Sequence, residues 1–244
     1  MTQNTYIKHQ SQKVRFMRRF VDWMDDYGWF QKIFFFFGFF TVRFIFPLQY
    51  LLLRELMSCK SILDLGCGRH SMVPIAPSPI YKVGVELFES AYQEAFQSGR
   101  HDKVIQTDLM QVQFEEKSFD AVVMLDVLEH LTKEEGELLI HRMEQWARKK
   151  IIIFTPNGFV HQECYDHNPL MEHKSGWKNE EFVKKDFKTY GVRGFKFLYP
   201  SSVHPDEEKP TLWSRLCDLT QALTYFIPNH SFQLFCVKTF KPEK

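Results

Sequence analysis

The sequence predicts an α/β protein: a doubly wound, seven-stranded, mostly parallel sheet preceded by an N-terminal helical extension. Three observations predict it. A short apolar run ending at Leu65 breaks into a glycine turn, Gly66-Cys67-Gly68. Five strand-like runs follow one another from Ile62 to Phe154, each closed by polar residues and separated by helix-length segments, the alternation of a parallel α/β sheet. Two further apolar runs, Phe195–Tyr199 and Phe232–Val237, bring the strands to seven.

The chain opens with a basic, aromatic front, residues 1–57, which we read as one segment ahead of a second unit at 58–244. Lys8, Lys13, Arg15, Arg18 and Arg19 stand among Phe16, Met17, Phe20 and Val21 with no acidic residue in the first twenty. Then comes a phenylalanine-dense tract from Trp29 to Val42, interrupted by Arg43 and resumed from Phe44 to Leu53. A spanning helix needs about 20 consecutive apolar residues. Arg43 divides this tract near its middle, where an ionised group is expensive, and Pro47 would kink a helix soon after. Two readings stay open. The tract packs as helices across the ligand edge of the sheet, or it is an interfacial anchor whose aromatics sit at headgroup depth beside anionic lipid.

The first strand, Ile62–Leu65, contains Asp64 and runs into the glycine turn, where backbone approaches a ligand that a Cβ would push away. The second, Tyr81–Val85, ends in Glu86, placed to accept hydrogen bonds from two ribose hydroxyls. Leu87–Gly99 reads as a helix stopped by its glycine. The third strand, Val104–Asp108, again closes on a carboxylate, and a polar connection, 109–117, leads to the fourth, Phe119–Asp126. Lys133–Lys150 is amphipathic, with Leu138, Leu139, Met143 and Trp146 on its apolar stripe. The fifth strand, Ile151–Phe154, runs into Thr155-Pro156-Asn157. Trp177–Tyr190 reads as a helix ended by Gly191, and Leu212–Ile227 as another, followed by Pro228.

A nicotinamide-dinucleotide fold competes for the same glycine turn. Its fingerprint requires a third glycine three residues after the second. Ser71 holds that place, and Pro74, Pro77 and Pro79 forbid a long helix after the turn. A diphosphate would lack the helix N-terminus it needs.

The combination LDLGCG, VGVE, QTD and LDVLEHL resembles the class I S-adenosylmethionine-dependent methyltransferases, over roughly Ser58 to Thr239. TPNGF followed by HNPLMEHKSGW is similar to a subgroup associated with bacterial glycan and small-molecule modification. The resemblance implies the Rossmann-like methyltransferase fold, with the last strand inserted antiparallel between the fifth and sixth. It implies S-adenosyl-L-methionine as cofactor. Asp64, Gly66, Cys67 and Gly68 would then line its methionine and ribose part, with Glu86 and Leu87 on the ribose. Asp108 and Leu109 would meet the adenine, and Asp126 would stand near the sulfonium. For proton removal it points first to His173, through the pattern His173-x-Ser175-x-Trp177, and second to His130, four residues after Asp126. His167 and His173 flank a loop that the subgroup places over the active site, and Glu129, exposed by its phase, reads as structural.

The implied activity is methyl transfer to a small molecule or glycan, at oxygen. The alternatives are a lipid or lipid-linked acceptor at a membrane surface and a non-catalytic binding module that keeps the fold. A net charge of +1 gives no general pull toward nucleic acid. The five cysteines are scattered without a CxxC, which fits reduced thiols in a cytoplasmic setting. The N-terminal segment adds peripheral contact at the inner membrane face as an option. No metal is expected, because no repeated ligand spacing stands out.

Overall fold

The structure, a computed structural model, describes residues 47–74, 80–164, 168–199 and 219–241. The basic segment and the phenylalanine tract up to residue 46 lie outside the described residues, as do Pro77, Pro79, His167 and residues 212–218 of the expected late helix. From Ile45 onward the chain forms one compact unit.

Seven strands make one sheet in the order β3-β2-β1-β4-β5-β7-β6. They are β1 (Ser61–Leu65), β2 (Tyr81–Glu86), β3 (Lys103–Gln106), β4 (Phe119–Leu125), β5 (Ala147–Pro156), β6 (Lys188–Phe195) and β7 (Ser231–Thr239). The first five pair in parallel, and β7 runs antiparallel between β5 and β6. The order reverses at β1, whose neighbours are β2 and β4, so the carboxyl ends of β1 and β4 flank the crevice where such sheets bind ligands. The central strands are buried on both faces. All seven residues of β4 are buried, which is why Ala121–Leu125 reads as an unbroken apolar run.

The helices are α1 (Pro47–Leu56), α2 (Glu89–Ser98), α3 (Lys133–Trp146), α4 (Asn179–Lys184) and the short α5 (Gln221–Thr224). Pro47 begins α1 and does not kink it; the first helical position spends no backbone N–H. Leu51, Leu52 and Leu56 of α1 are buried, and Glu55 pairs with Lys150 of β5 at 3.1 Å. This helix, which the sequence places in the N-terminal segment, therefore packs with the sheet. Gly99 closes α2 in the left-handed conformation expected of it. A capping box between Thr132 and Glu135 starts α3.

Four expectations need correction. The helix expected over Lys133–Lys150 stops at Trp146, and β5 begins at Ala147, because Phe119 of β4 pairs with Ala147 and carries the ladder back that far. Leu138 is exposed, and the buried stripe of α3 is Leu139, Ile140, Met143 and Trp146 around Gly136. The helix expected over Trp177–Tyr190 is only α4; Asp186 turns with φ +64° and the chain then enters β6, where Thr189, Tyr190 and Val192 favour strand. The strand expected over Phe195–Tyr199 is a 3₁₀ turn, Lys196–Leu198, just after β6. Gly191 does not stop a helix. A Cβ there would lie 2.1 Å from the Thr224 carbonyl oxygen, so this glycine lets α5 lie against β6.

Candidate active site

The carboxyl ends of the parallel strands open into a cavity of about 590 Å³, within the range of small-molecule sites. All nine residues that the resemblance assigns to the cofactor line it: Asp64, Gly66, Cys67, Gly68, Glu86, Leu87, Asp108, Leu109 and Asp126. His130 lines it too. His173 does not.

The glycine turn is held by its neighbours. Gly66 has φ +66°, and a Cβ there would also sit 2.5 Å from a Val127 methyl on the turn after β4. No other residue satisfies both demands. The Cys67 N–H donates to the Val85 carbonyl at 3.0 Å. Gly68 N–H donates to Glu86 Oε2 at 3.0 Å, while Phe88 N–H donates to Oε1 at 2.8 Å. Glu86 thus ties the glycine turn to the start of α2; it lines the cavity, and each carboxylate oxygen keeps acceptor capacity beyond these bonds. Asp64 is buried, and its Oδ2 accepts from Ser71 Oγ at 2.5 Å and lies 2.9 Å from His101 Nε2. Ser71, standing where a dinucleotide fold would need glycine, closes the loop through a side chain. From Gly66 to Pro74 the described residues form no helix.

After β3, Asp108 Oδ1 accepts the Met110 N–H at 2.8 Å, which braces the loop there, and both residues line the cavity. After β4 comes Asp126, with φ +52°, a conformation that costs a non-glycine residue and concentrates at functional sites. Its Oδ1 accepts from Gln233 Nε2 at 3.1 Å. Burial raises its pKa, against the Arg193 charge.

A 3₁₀ turn, Leu128–His130, follows. The expectation that Glu129 is exposed is wrong. It is 3% exposed, because the chain curls into a 3₁₀ turn and residues 174–175 cover it. Thr155 Oγ1 donates to its Oε2 at 3.0 Å. Burial first, then the like charge of Asp126, push its pKa up. The imidazole of His130 has its Nδ1 3.1 Å from the Glu172 carbonyl oxygen, and that of His173 has its Nδ1 2.7 Å from the Val160 carbonyl oxygen. A carbonyl oxygen only accepts, so both rings carry the proton on Nδ1 and a lone pair on Nε2. Their centroids are 4.8 Å apart in an edge-to-face contact. Burial pushes His130 down to about 4, with His173 and Lys174 acting in the same sense against the Glu172 carbonyl. His173 is also lowered by burial. One ligand-type atom from each of Glu129, His130 and His173 lies within 4.8 Å of the others. The sequence shows no such cluster because Glu129 and His173 are far apart along the chain.

The loop that carries His173 is pinned from below. Trp177 is fully buried and its Nε1–H donates to Ser175 Oγ at 2.9 Å. Lys174 N–H and Ser175 N–H donate to the Glu129 carbonyl at 2.8 and 3.1 Å. Gly158 N–H donates to the Trp177 carbonyl at 2.7 Å, closing the base of the loop. Lys133 lies 3.4 Å above the Trp177 ring and bonds the Gly176 carbonyl at 3.0 Å. Asn168, Leu170, Met171 and Lys174 reach the cavity from this loop. The sequence places the loop over the site without picking these four; Glu135 of α3 joins them with no motif to announce it.

Residues 63–154 match the family model described as the methyltransferase domain. None of the curated proteins matches the chain. Among solved structures, it is similar to a SAM dependent methyltransferase from Archaeoglobus fulgidus, 17% identical over 84% of this chain and 99% of that one, with a TM-score of 0.53. It is also similar to magnesium protoporphyrin IX methyltransferase from Synechocystis PCC 6803 with bound SAM, 19% identical over 80% and 77% of the two chains, TM-score 0.46. The first of these shares the fold. The family match runs from β1 to β5, the strands whose ends build the cavity, and there the positive-φ glycines and the Glu86 carboxylate suit a ribose-bearing cofactor that carries no diphosphate. Through residues 63–154 the chain carries a methyltransferase domain, an enzyme domain that uses S-adenosylmethionine as its cofactor.

Proposed function

We propose that this methyltransferase acts on an oxygen of a small molecule or glycan. The observation that supports it is His130, a neutral imidazole with its Nε2 lone pair free, in the cavity wall beside Leu131, Asn168, Leu170, Met171 and Lys174. Such a ring accepts a hydrogen bond from a hydroxyl and gives no donor from Nε2. The cofactor, when bound, supplies a methyl group already activated on sulfur. The chain's own work is then positioning and engagement of the acceptor hydroxyl. Glu86 would accept the ribose hydroxyls with the lone pairs that Gly68 and Phe88 leave free. Asp108 and Leu109 would hold the adenine, and Asp126 stands where the strand-four turn meets the cavity. His173 is a positioning residue, because it reaches the cavity through its contact with His130.

The test is incubation of the full chain with S-adenosylmethionine labelled in its methyl group and a metabolite extract, followed by mass spectrometry and NMR of the labelled product. Label in an O–CH₃ group of a small molecule or saccharide supports the reading. Label in N–CH₃ or S–CH₃ groups, or in protein or RNA, overturns it.

A second reading, a lipid-linked acceptor, is favoured by exposed apolar side chains around α5: Leu219, Leu223 and Phe226 are 78%, 62% and 65% exposed. An organic-solvent-soluble labelled product selects it.

A further inference from the structure

We propose that Glu129, His130 and His173 bind a divalent transition-metal ion of the zinc type at the wall of the cavity, and that this ion holds the acceptor oxygen. The inference rests on the oxygen-acceptor reading and deepens it: the lone pair that His130 would offer a hydroxyl goes to the ion, and the ion takes the hydroxyl.

Four observations on different residues agree. First, the three side chains converge, with their ligand atoms within 4.8 Å of one another; ligands about 2.0–2.2 Å from a tetrahedral ion stand about 3.3–3.6 Å apart, so side-chain shifts of about 1 Å would close the set on an ion. Second, the imidazoles are held the way metal-bound histidines are held. Each has Nδ1 against a backbone carbonyl, Glu172 for His130 and Val160 for His173, which fixes the tautomer and leaves Nε2 as the ligand nitrogen. Third, Glu129 is a buried carboxylate without an ion-pair partner among the described residues; Thr155 Oγ1 occupies Oε2 and leaves the other oxygen to an ion. A buried carboxylate is costly unless it is paired or coordinates a metal. Fourth, two imidazoles and one carboxylate form a three-ligand set, which in catalytic zinc sites leaves a fourth position open for a water or substrate. Imidazole ligands select zinc, iron, nickel or copper over magnesium or calcium. His130 is the member that also lines the cavity, so the ion would face the acceptor through its side of the cluster.

The local frame is rigid enough to preorganise such a site. Glu129 and His130 are consecutive in one 3₁₀ turn, and the Glu129 carbonyl takes the N–H groups of Lys174 and Ser175, so the turn and the His173 segment are tied directly. The general-base expectation for His173 changes accordingly. A ring that stands outside the cavity is badly placed to meet a proton there, and well placed to complete a ligand set with His130.

The experiment uses the full chain stripped with a chelator and dialysed. Zinc is titrated by calorimetry, and cobalt is added to a second sample for its visible d–d absorption. One equivalent of zinc, with a cobalt spectrum of a four- or five-coordinate site, is expected. His173→Ala and Glu129→Gln should each weaken zinc at least tenfold and remove the cobalt bands, while S-adenosylhomocysteine still binds and shows that the fold is intact. His173→Cys, which keeps a ligand, should retain zinc and shift the cobalt spectrum toward sulfur charge-transfer. No zinc binding by the wild-type chain, or binding unchanged in both variants, overturns the proposal. The oxygen-acceptor reading fails separately, if the labelled product carries its methyl group on nitrogen or sulfur whatever the metal content.

Discussion

Glu86 carries the sharpest test of the cofactor assignment. Its two oxygens already accept Gly68 N–H at 3.0 Å and Phe88 N–H at 2.8 Å, and on the proposed reading each also accepts a ribose hydroxyl. Hydrogen bonds to a charged group contribute about 1.5–3 kcal/mol each. Glu86→Ala removes both ribose bonds and loosens the glycine turn, while water compensates in part. A net loss of about 1.5–3 kcal/mol corresponds to roughly 10- to 150-fold weaker binding. Glu86→Gln keeps one acceptor oxygen but turns an amide NH₂ toward one of the two backbone N–H donors, so it should fall between wild type and alanine. Calorimetric titration with S-adenosylhomocysteine measures this, with far-UV circular dichroism to show that the sheet persists. Glu86 is only partly buried, so water reaches the freed N–H groups and the cost in overall stability stays near 1 kcal/mol. Binding of the alanine variant within threefold of wild type would refute the ribose assignment, and with it the assigned role of the carboxyl end of β2.

Other expectations reach different parts of the molecule. Gly136→Ala gains about 1 kcal/mol of helix propensity, but its Cβ meets Trp177 at 2.5 Å and Leu128 at 2.9 Å. Overpacking of about 1–3 kcal/mol should win and lower the urea midpoint; a higher midpoint would show that Trp177 can yield. At Asp120, burial raises the carboxyl pKa, but the bonds and charges of Lys149, the Lys60 N–H and Arg148 outweigh it and hold the group below its ordinary value. Its stabilising contribution is therefore complete above the unfolded value of about 3.9 and is lost as pH falls through the lower folded value. The urea-midpoint difference between wild type and Asp120→Asn should be flat near neutrality and shrink in acid; a difference constant down to pH 2 would contradict this. For the basic front, the full chain should float with anionic liposomes at low salt, and a chain beginning at Ile45 should not, since each basic group near an anionic surface contributes about 1 kcal/mol. Flotation of both would move the membrane contact to the exposed apolar side chains around α5.

The central parallel strands were legible because they are buried on both faces, so few polar residues interrupt them before the sheet edge. Val122-Val123-Met124-Leu125 and Ile151-Ile152-Ile153-Phe154 are entirely buried. The residues that build the cavity stand at the ends of those runs, and for the same reason they too were legible: Asp64, Glu86 and Asp126 each close or interrupt an apolar stretch. The β6 region was not. Lys184-Lys185-Asp186-Phe187-Lys188 spaces its charges as a helix surface does, and only the antiparallel pairing with β7, far along the chain, decides for strand. Glu129 failed for a related reason. Helical phase puts it on the outside, but the turn is 3₁₀ and a segment more than forty residues later lies over it.

The pattern His173-x-Ser175-x-Trp177 combines the two kinds of information. Ser175 and Trp177 are structural: one hydroxyl links the Trp177 indole to the Leu128 carbonyl at 3.4 Å, and the ring fills the space that Gly136 leaves open on α3. Gly176 is fixed by contact as well, since a Cβ there would meet the Phe159 nitrogen at 2.3 Å. These three residues anchor the loop to the turn after β4 and to α3. With the base so fixed, His173 has one place to stand, against His130 and beside Glu129. The stretch before it contributes Asn168, Leu170 and Met171 to the cavity wall. On the proposed reading, acceptor choice and metal binding would be separated along a single loop: residues 168–171 would shape the pocket, and the clamped part would hold the reacting end. A Trp177→Leu exchange should follow that division, loosening the His130–His173 pair while leaving the cofactor residues on β1, β2 and β3 in place.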